Sequence, residues 1–228
     1  MSDNLLEINN LSVRYKDSEK YAVSGFNLHL GHNEILCLRG RSGIGKSTVT
    51  TAIMGMLPEH DAICESGEIL FDGHDLLKCS EKTMKKIRWR DIAIVPQSSM
   101  NSFNPVYTIR QSIREMLLLG DAKMSKTALA TREKELITMV SLDERALNCY
   151  PHEMSGGMKQ RAAIALAMIF SPKLLILDEA TTGLDIKIQA DVLGTILHIQ
   201  RETRMGMLFI SHDAELGDQI SARRVEML

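Results

Sequence analysis

Apolar and polar positions alternate from Leu5 to Tyr15 and again through Phe26-Asn27-Leu28-His29-Leu30, the period of strands with one buried face. Gly67-Glu68-Ile69-Leu70-Phe71 reads as a strand that runs into an Asp72-Gly73 turn. The N-terminal third therefore predicts an antiparallel β portion. Embedded in it, Glu34-Ile35-Leu36-Cys37-Leu38 is a short apolar run, followed by a glycine loop and then by Lys46 to Leu57, a helix-compatible stretch stopped by Pro58.

From about Met100 to Met154 the period becomes helical. Ile109, Ile113, Met116 and Leu117 share one face, and the charged run from Lys123 to Glu135 reads as a solvated surface, so an inserted helical sub-domain is expected at 98–155. Beyond it, helix Met158–Phe170, strand Leu174–Leu177, helix Ile186–Arg201 and strand Met207–Ile210 alternate. Alternation of this kind predicts a parallel sheet covered by helices, and the fold class is α/β. The core is expected to comprise 1–97, which includes the β sub-domain, and 156–228; no internal repeat or low-complexity linker interrupts it.

Composition narrows the function classes. With 27 Lys+Arg against 29 Asp+Glu, the formal net charge of −2 provides no field that would gather nucleic acid or anionic lipid. A chain of 228 residues, 44% hydrophobic and 25% charged, suits one large globular domain or a domain carrying a sub-domain. No stretch approaches the roughly 18 apolar residues of a spanning helix, and Met1-Ser2-Asp3-Asn4 lacks the basic start of a signal peptide, so a soluble cytosolic chain is expected. Cys37, Cys64, Cys79 and Cys149 are too scattered for a zinc site and read as reduced thiols. The 14 methionines read as core filler.

Three motifs carry candidate chemistry. Gly40-Arg41-Ser42-Gly43-Ile44-Gly45-Lys46-Ser47-Thr48 fits G-x-x-x-x-G-K-[ST] between a predicted strand and helix, the context in which that motif binds phosphate. Glycines let backbone N–H groups close around phosphate oxygens, the helix N-terminus adds its dipole, Lys46 reaches the β and γ phosphates, and Ser47 offers a hydroxyl to Mg²⁺. Leu174-Leu175-Ile176-Leu177-Asp178-Glu179 ends a buried-looking strand in two carboxylates. At the edge of a parallel sheet, Asp178 is placed to hold Mg²⁺ through water and Glu179 to polarise an attacking water. Met154-Ser155-Gly156-Gly157-Met158-Lys159-Gln160-Arg161 presents a serine N-cap and two glycines before an alanine-rich helix, a second helix N-terminus able to meet an anion.

With these motifs in this order, the whole chain resembles the ATP-binding-cassette ATPases, whose signature sequence is a close relative of Met154 to Gln160. The resemblance implies a P-loop NTPase core with ATP and Mg²⁺ as cofactors. It also implies that Gln97, in Val95-Pro96-Gln97, touches Mg²⁺ and senses a membrane partner, and that Tyr15 stacks on adenine. By the same resemblance, Gly183-Leu184-Asp185 crosses a dimer interface, and His212, after the strand ending in Ile210 and Ser211, contacts the γ-phosphate. Two subunits, alike or different, would pack head to tail, so that Ser155, Gly156 and Gly157 of one complete the phosphate site of the other. No metal site is expected beyond nucleotide-bound Mg²⁺.

Gln97-Ser98-Ser99-Met100-Asn101-Ser102-Phe103-Asn104-Pro105 is similar to the branch of the family that serves oligopeptide, dipeptide and nickel or metallophore importers. Ile44, Ala180 and Met158 depart from the commoner residues at their positions without removing a catalytic group. Arg224-Val225-Glu226-Met227-Leu228 looks like the start of a strand where the family continues through a hairpin and an extension, so a truncated chain is expected. The resemblance thus implies an ATPase subunit held peripherally on the cytoplasmic membrane face by a transmembrane permease pair, with an extracytoplasmic solute-binding protein as an indirect partner. Competing expectations are an accessory ATPase of a soluble assembly such as phosphonate degradation, and a nucleic-acid-linked cassette, which would show a tandem cassette or basic patch.

Overall fold

A computed structural model describes residues 4–58, 60–99, 102–220 and 223–227. Met1, Ser2, Asp3, Met100, Asn101 and Leu228, each named in the expectations above, lie outside the described residues.

The first sheet is antiparallel. Strands β1 (Asn4–Tyr15) and β2 (Tyr21–Gly31) belong to it, and its order is β2-β1-β4-β5, with β4 at Ala62–Phe71 and β5 at His74–Asp75. The alternation in β2 buries Phe26, Leu28 and Leu30 on one face, and an irregularity at Gly25, with φ 56°, precedes them and leaves Val23 buried as well. Asp72 and Gly73 link β4 to β5 with φ of 50° and 79°, the left-handed pair of a tight hairpin turn.

The second sheet is parallel and has the order β6-β7-β8-β3-β9. Its strands are β3 (Ile35–Arg39), β6 (Ile92–Val95), β7 (Leu174–Asp178), β8 (Gly206–Ser211) and β9 (Arg223–Glu226). Strand β9 confirms the strand expected at Arg224. The β7 and β8 strands are buried on both faces, which is why they appear in the sequence as unbroken apolar runs. Successive side chains divide between two cores: Leu174 and Ile176 join the core beneath the antiparallel sheet, while Leu175 and Leu177 join the one beneath the long helices.

Helix α1 (Lys46–Ile53) ends earlier than Leu57, because Gly55 adopts φ 58° and its N–H turns back to the Ala52 carbonyl. Pro58 thus lies beyond a stop already made. Helix α2 (Glu81–Ile87) follows β5, and α3 (Ile109–Gly120) and α4 (Lys126–Met139) come between β6 and α5 (Gly156–Ala167). A reciprocal Thr108–Gln111 capping box starts α3, which buries Ile109, Ile113 and Leu117 as its period required. Helix α5 begins two residues before the predicted Met158, since Ser155 caps it, and ends at Ala167 rather than Phe170. Helices α6 (Ile186–Thr203) and α7 (Ala214–Ile220) complete the described helices. Inside the helical part, Glu133 of α4 is fully buried and receives both Arg110 Nη1, at 2.7 Å, and Arg114 Nε from α3.

Candidate phosphate site

Parallel pairing gathers the candidate residues. Val95 of β6 lies opposite Leu177 of β7, so Gln97 and Glu179, each two residues further on, leave the sheet side by side. Asp178 lies opposite Ile210 of β8, and Arg39 of β3 opposite Ser211, which brings His212 and Gly40 out at the same edge. This is the carboxyl edge of the sheet, where open α/β folds bind ligands.

Side-chain contacts close the group around Glu179. Its Oε2 accepts a hydrogen bond from Gln97 Nε2 at 2.9 Å; its Oε1 lies 3.3 Å from His212 Nδ1 and 3.9 Å from Lys46 Nζ. The Glu179 backbone has φ 50° and its N–H donates to the Ile210 carbonyl at 3.0 Å. A non-glycine residue held in the left-handed region costs energy and persists where its surroundings fix it; here it turns the carboxylate off the strand toward Lys46.

The glycine loop is held from inside. Lys46, only 5% exposed, donates from Nζ to the carbonyls of Gly40 and Arg41 at 2.8 and 3.0 Å. Gly45 has φ 110°, and a Cβ there would lie 2.1 Å from the Ala22 carbonyl oxygen, so only glycine fits. Gly45 also caps α1 without a side-chain acceptor, and the first turn carries no acidic residue, so the first N–H groups of α1 remain for an external anion. Ser42 and Ser47 are exposed, Thr48 is buried, and the Thr48 hydroxyl lies 3.4 Å from that of Tyr15. A loop, a helix start and a lysine in this arrangement fit a polyphosphate.

Burial raises the Asp178 carboxyl above the usual carboxylate range, and the neighbouring Glu179 charge adds to the rise while Lys46 opposes it. Two adjacent carboxylates, one of them penalised for being charged, form a donor set that a hard divalent cation would relieve. The residues present therefore fit Mg²⁺, with Asp178, Ser47 and Gln97 as its available oxygen donors.

The "ABC transporter" family model matches residues 23–182, which include the loop, Gln97, Ser155 and the carboxylate pair. The chain belongs to the ABC transporter family. It is 40% identical over 225 residues to the oligopeptide transport ATP-binding protein OppD of Bacillus subtilis, covering 95% of this chain and 63% of that protein. It is also 39% identical to the dipeptide transport ATP-binding protein DppD of the same organism, over 97% of this chain and 67% of the relative. The chain thus spans about two thirds of the length of these relatives. Among solved structures it is similar to MJ0796, a bacterial ABC transporter cassette solved as a dimer, with a TM-score of 0.84 and 26% identity over 97% of this chain and 94% of that one. CbiO1 of Clostridium perfringens, part of the transporter complex cbiONQ, gives a TM-score of 0.86 and 25% identity over 99% of this chain and 85% of the other.

The remaining candidates form local contacts of their own. Ser155 caps α5 by accepting from the Met158 N–H at 3.4 Å, and Asp185 caps α6 by accepting from the Ile188 N–H at 3.0 Å. A Cβ on Gly157 would lie 2.4 Å from Ile188 Cγ2, so the glycine lets α5 approach α6. Among the described residues, no hydrogen bond or ion pair joins Ser155, Gly156, Gly157 or Asp185 to the glycine loop or Glu179.

A groove of about 390 Å³ opens beside Gln97, lined among others by Phe103, Tyr107, Trp89, Met116 and Ser99. Phe103 is also packed against the helical core, so it serves both groove and core. Trp89, the single tryptophan, is 36% exposed with φ 68°. It was not singled out from the sequence, because the stretch before β6 has no clear period. No described helix is long and apolar enough to cross a membrane.

Proposed function

We propose that this cassette hydrolyses ATP to drive peptide import by a separate transmembrane partner. The observation that carries the reading is the Glu179 carboxylate, held by Gln97, His212 and Lys46 at the mouth of the phosphate loop. Lys46 and the α1 N-terminus bind the β and γ phosphates of ATP; Tyr15 supports the base. Glu179 orients water and takes its proton, and His212, beside Glu179 Oε1, steadies charge developing on the γ-phosphate. Asp178, Ser47 and Gln97 would hold Mg²⁺, which when bound would supply charge neutralisation to the phosphates.

Because no hydrogen bond or ion pair among the described residues joins Ser155, Gly156, Gly157 or Asp185 to the loop of their own chain, a second cassette facing it head to tail would complete each site. The groove suits a short permease helix, since its wall is largely apolar and includes Pro96, the neighbour of Gln97 in the chain. The permease would hold the cassette peripherally on the cytoplasmic face. Relatives named for oligopeptide and dipeptide transport support a peptide cargo over nickel.

The test compares cells whose only copy is wild type with cells whose only copy is Glu179→Gln. Uptake of labelled di- and oligopeptides should be lost and nickel uptake retained. Loss of nickel uptake with peptide uptake intact would overturn the peptide reading.

A further inference from the structure

A buried hydrogen bond ties the segment that carries Gln97 to the interior. Pro96 to Ser99 forms a tight turn, with the Ser99 N–H donating to the Pro96 carbonyl at 2.9 Å. The Ser99 side chain, 4% exposed, donates its hydroxyl to Oε1 of Gln160 at 3.0 Å. Gln160 is 1% exposed and lies on α5, five residues beyond the Ser155 cap. The other end of its carboxamide, Nε2, is buried without a hydrogen-bond partner.

A glutamine at this position is poor packing material. It occupies the buried stripe of α5 with Gly157, Ile164 and Ala167, where an apolar side chain would carry no unpaired donor. Serine hydroxyl and carboxamide can each donate and accept. If the turn shifts, the pair can exchange O–H···O for N–H···O and stay joined, so the link has two hydrogen-bonded settings.

We infer that Ser99 and Gln160 are positioning residues for catalysis: their buried hydrogen bond registers the turn bearing Gln97 against the helix bearing Ser155, and thereby sets the Gln97 grip on Glu179. Ser99 also lines the groove, so the same link connects groove, signature helix and catalytic carboxylate. The inference rests on the reading of Gln97 and Glu179 as parts of an ATPase site.

The experiment is a double-mutant cycle on the full chain with its required partner, measuring kcat and KM for ATP and the melting temperature. Ser99→Ala should lower kcat about tenfold, the scale expected for a displaced catalytic group, with KM little changed and a modest fall in melting temperature, because Gln160 Oε1 is left buried without its donor. Ser99→Thr, which keeps the hydroxyl, should restore the rate, and Gln160→Met should reproduce the Ser99→Ala defect. In a Gln97→Ala background, Ser99→Ala should lower kcat no further. An equal loss in both backgrounds, or a loss of stability without a loss of kcat, would overturn the link. If Gln97→Ala alone turns over ATP at the wild-type rate, the reading of the site fails, and the link fails with it.

Discussion

Buried and half-buried carboxylates occur in two parts of this cassette and are treated in opposite ways. Glu133, in the helical part, is fully buried and neutralised by Arg110 and Arg114 from the adjacent helix. Asp178 and Glu179 stand next to each other at the sheet edge, with Lys46 Nζ 3.9 Å from Glu179, Asp178 raised by its partial burial and Glu179 held at φ 50°. The first arrangement joins two helices. The second leaves negative charge incompletely balanced, a condition that a bound cation and phosphates can relieve and that a structural ion pair would avoid.

That difference can be broken at either end. Glu133→Ala should give the largest change in stability, a loss of about 3 kcal/mol by denaturant unfolding, because it empties a fully buried position and removes the charge-assisted hydrogen bonds that join α3 to α4. Both arginines are partly exposed and can regain water, which keeps the loss at the low end for a buried pair. Lys46→Ala removes the only lysine facing Glu179 among the described residues, and calorimetric titration should show ATP affinity reduced about tenfold or more. Unchanged affinity in a folded protein would remove the loop from nucleotide binding.

Asp178→Asn should give the smallest effect on stability and one of opposite sign to Glu133→Ala. The folded Asp178 carboxyl lies above its ordinary value, so its charge opposes folding at neutral pH. That penalty fades as pH falls through the folded value and is gone below the unfolded one. Asp178→Asn should therefore melt higher than wild type at neutral pH, with the gain shrinking toward acid, while ATP hydrolysis is lost. A lower melting temperature at neutral pH would show that Asp178 supports the fold.

The two regions were not equally legible in the sequence. Strands β7 and β8 and the glycine loop were readable because burial on both faces forces continuous apolar runs and because phosphate binding requires glycines at fixed spacing. Pairing then followed from topology: Gln97 and Glu179 share an edge because Val95 and Leu177 share a register. Strand β6, four residues long, and the short helices α2 and α7 were missed, since none spans enough turns to show a period. The Glu133 clamp was hidden within a charged run that read as solvated surface, because periodicity cannot show which charges meet partners across helices. Gln160 left a signal that went unused: a polar residue in the buried stripe of an alanine-rich helix.

The central claim is that Glu179 performs chemistry at a site whose nucleotide is bound by other groups. The most direct measurement is ATP binding and single-turnover phosphate release for Glu179→Gln in the presence of its partner cassette. Shape is preserved and basicity is lost, so affinity for ATP should stay near wild type while phosphate release slows by roughly two orders of magnitude or more, leaving an ATP-bound dimer that outlives that of wild type. Phosphate release at the wild-type rate from a folded, ATP-binding Glu179→Gln protein would contradict it.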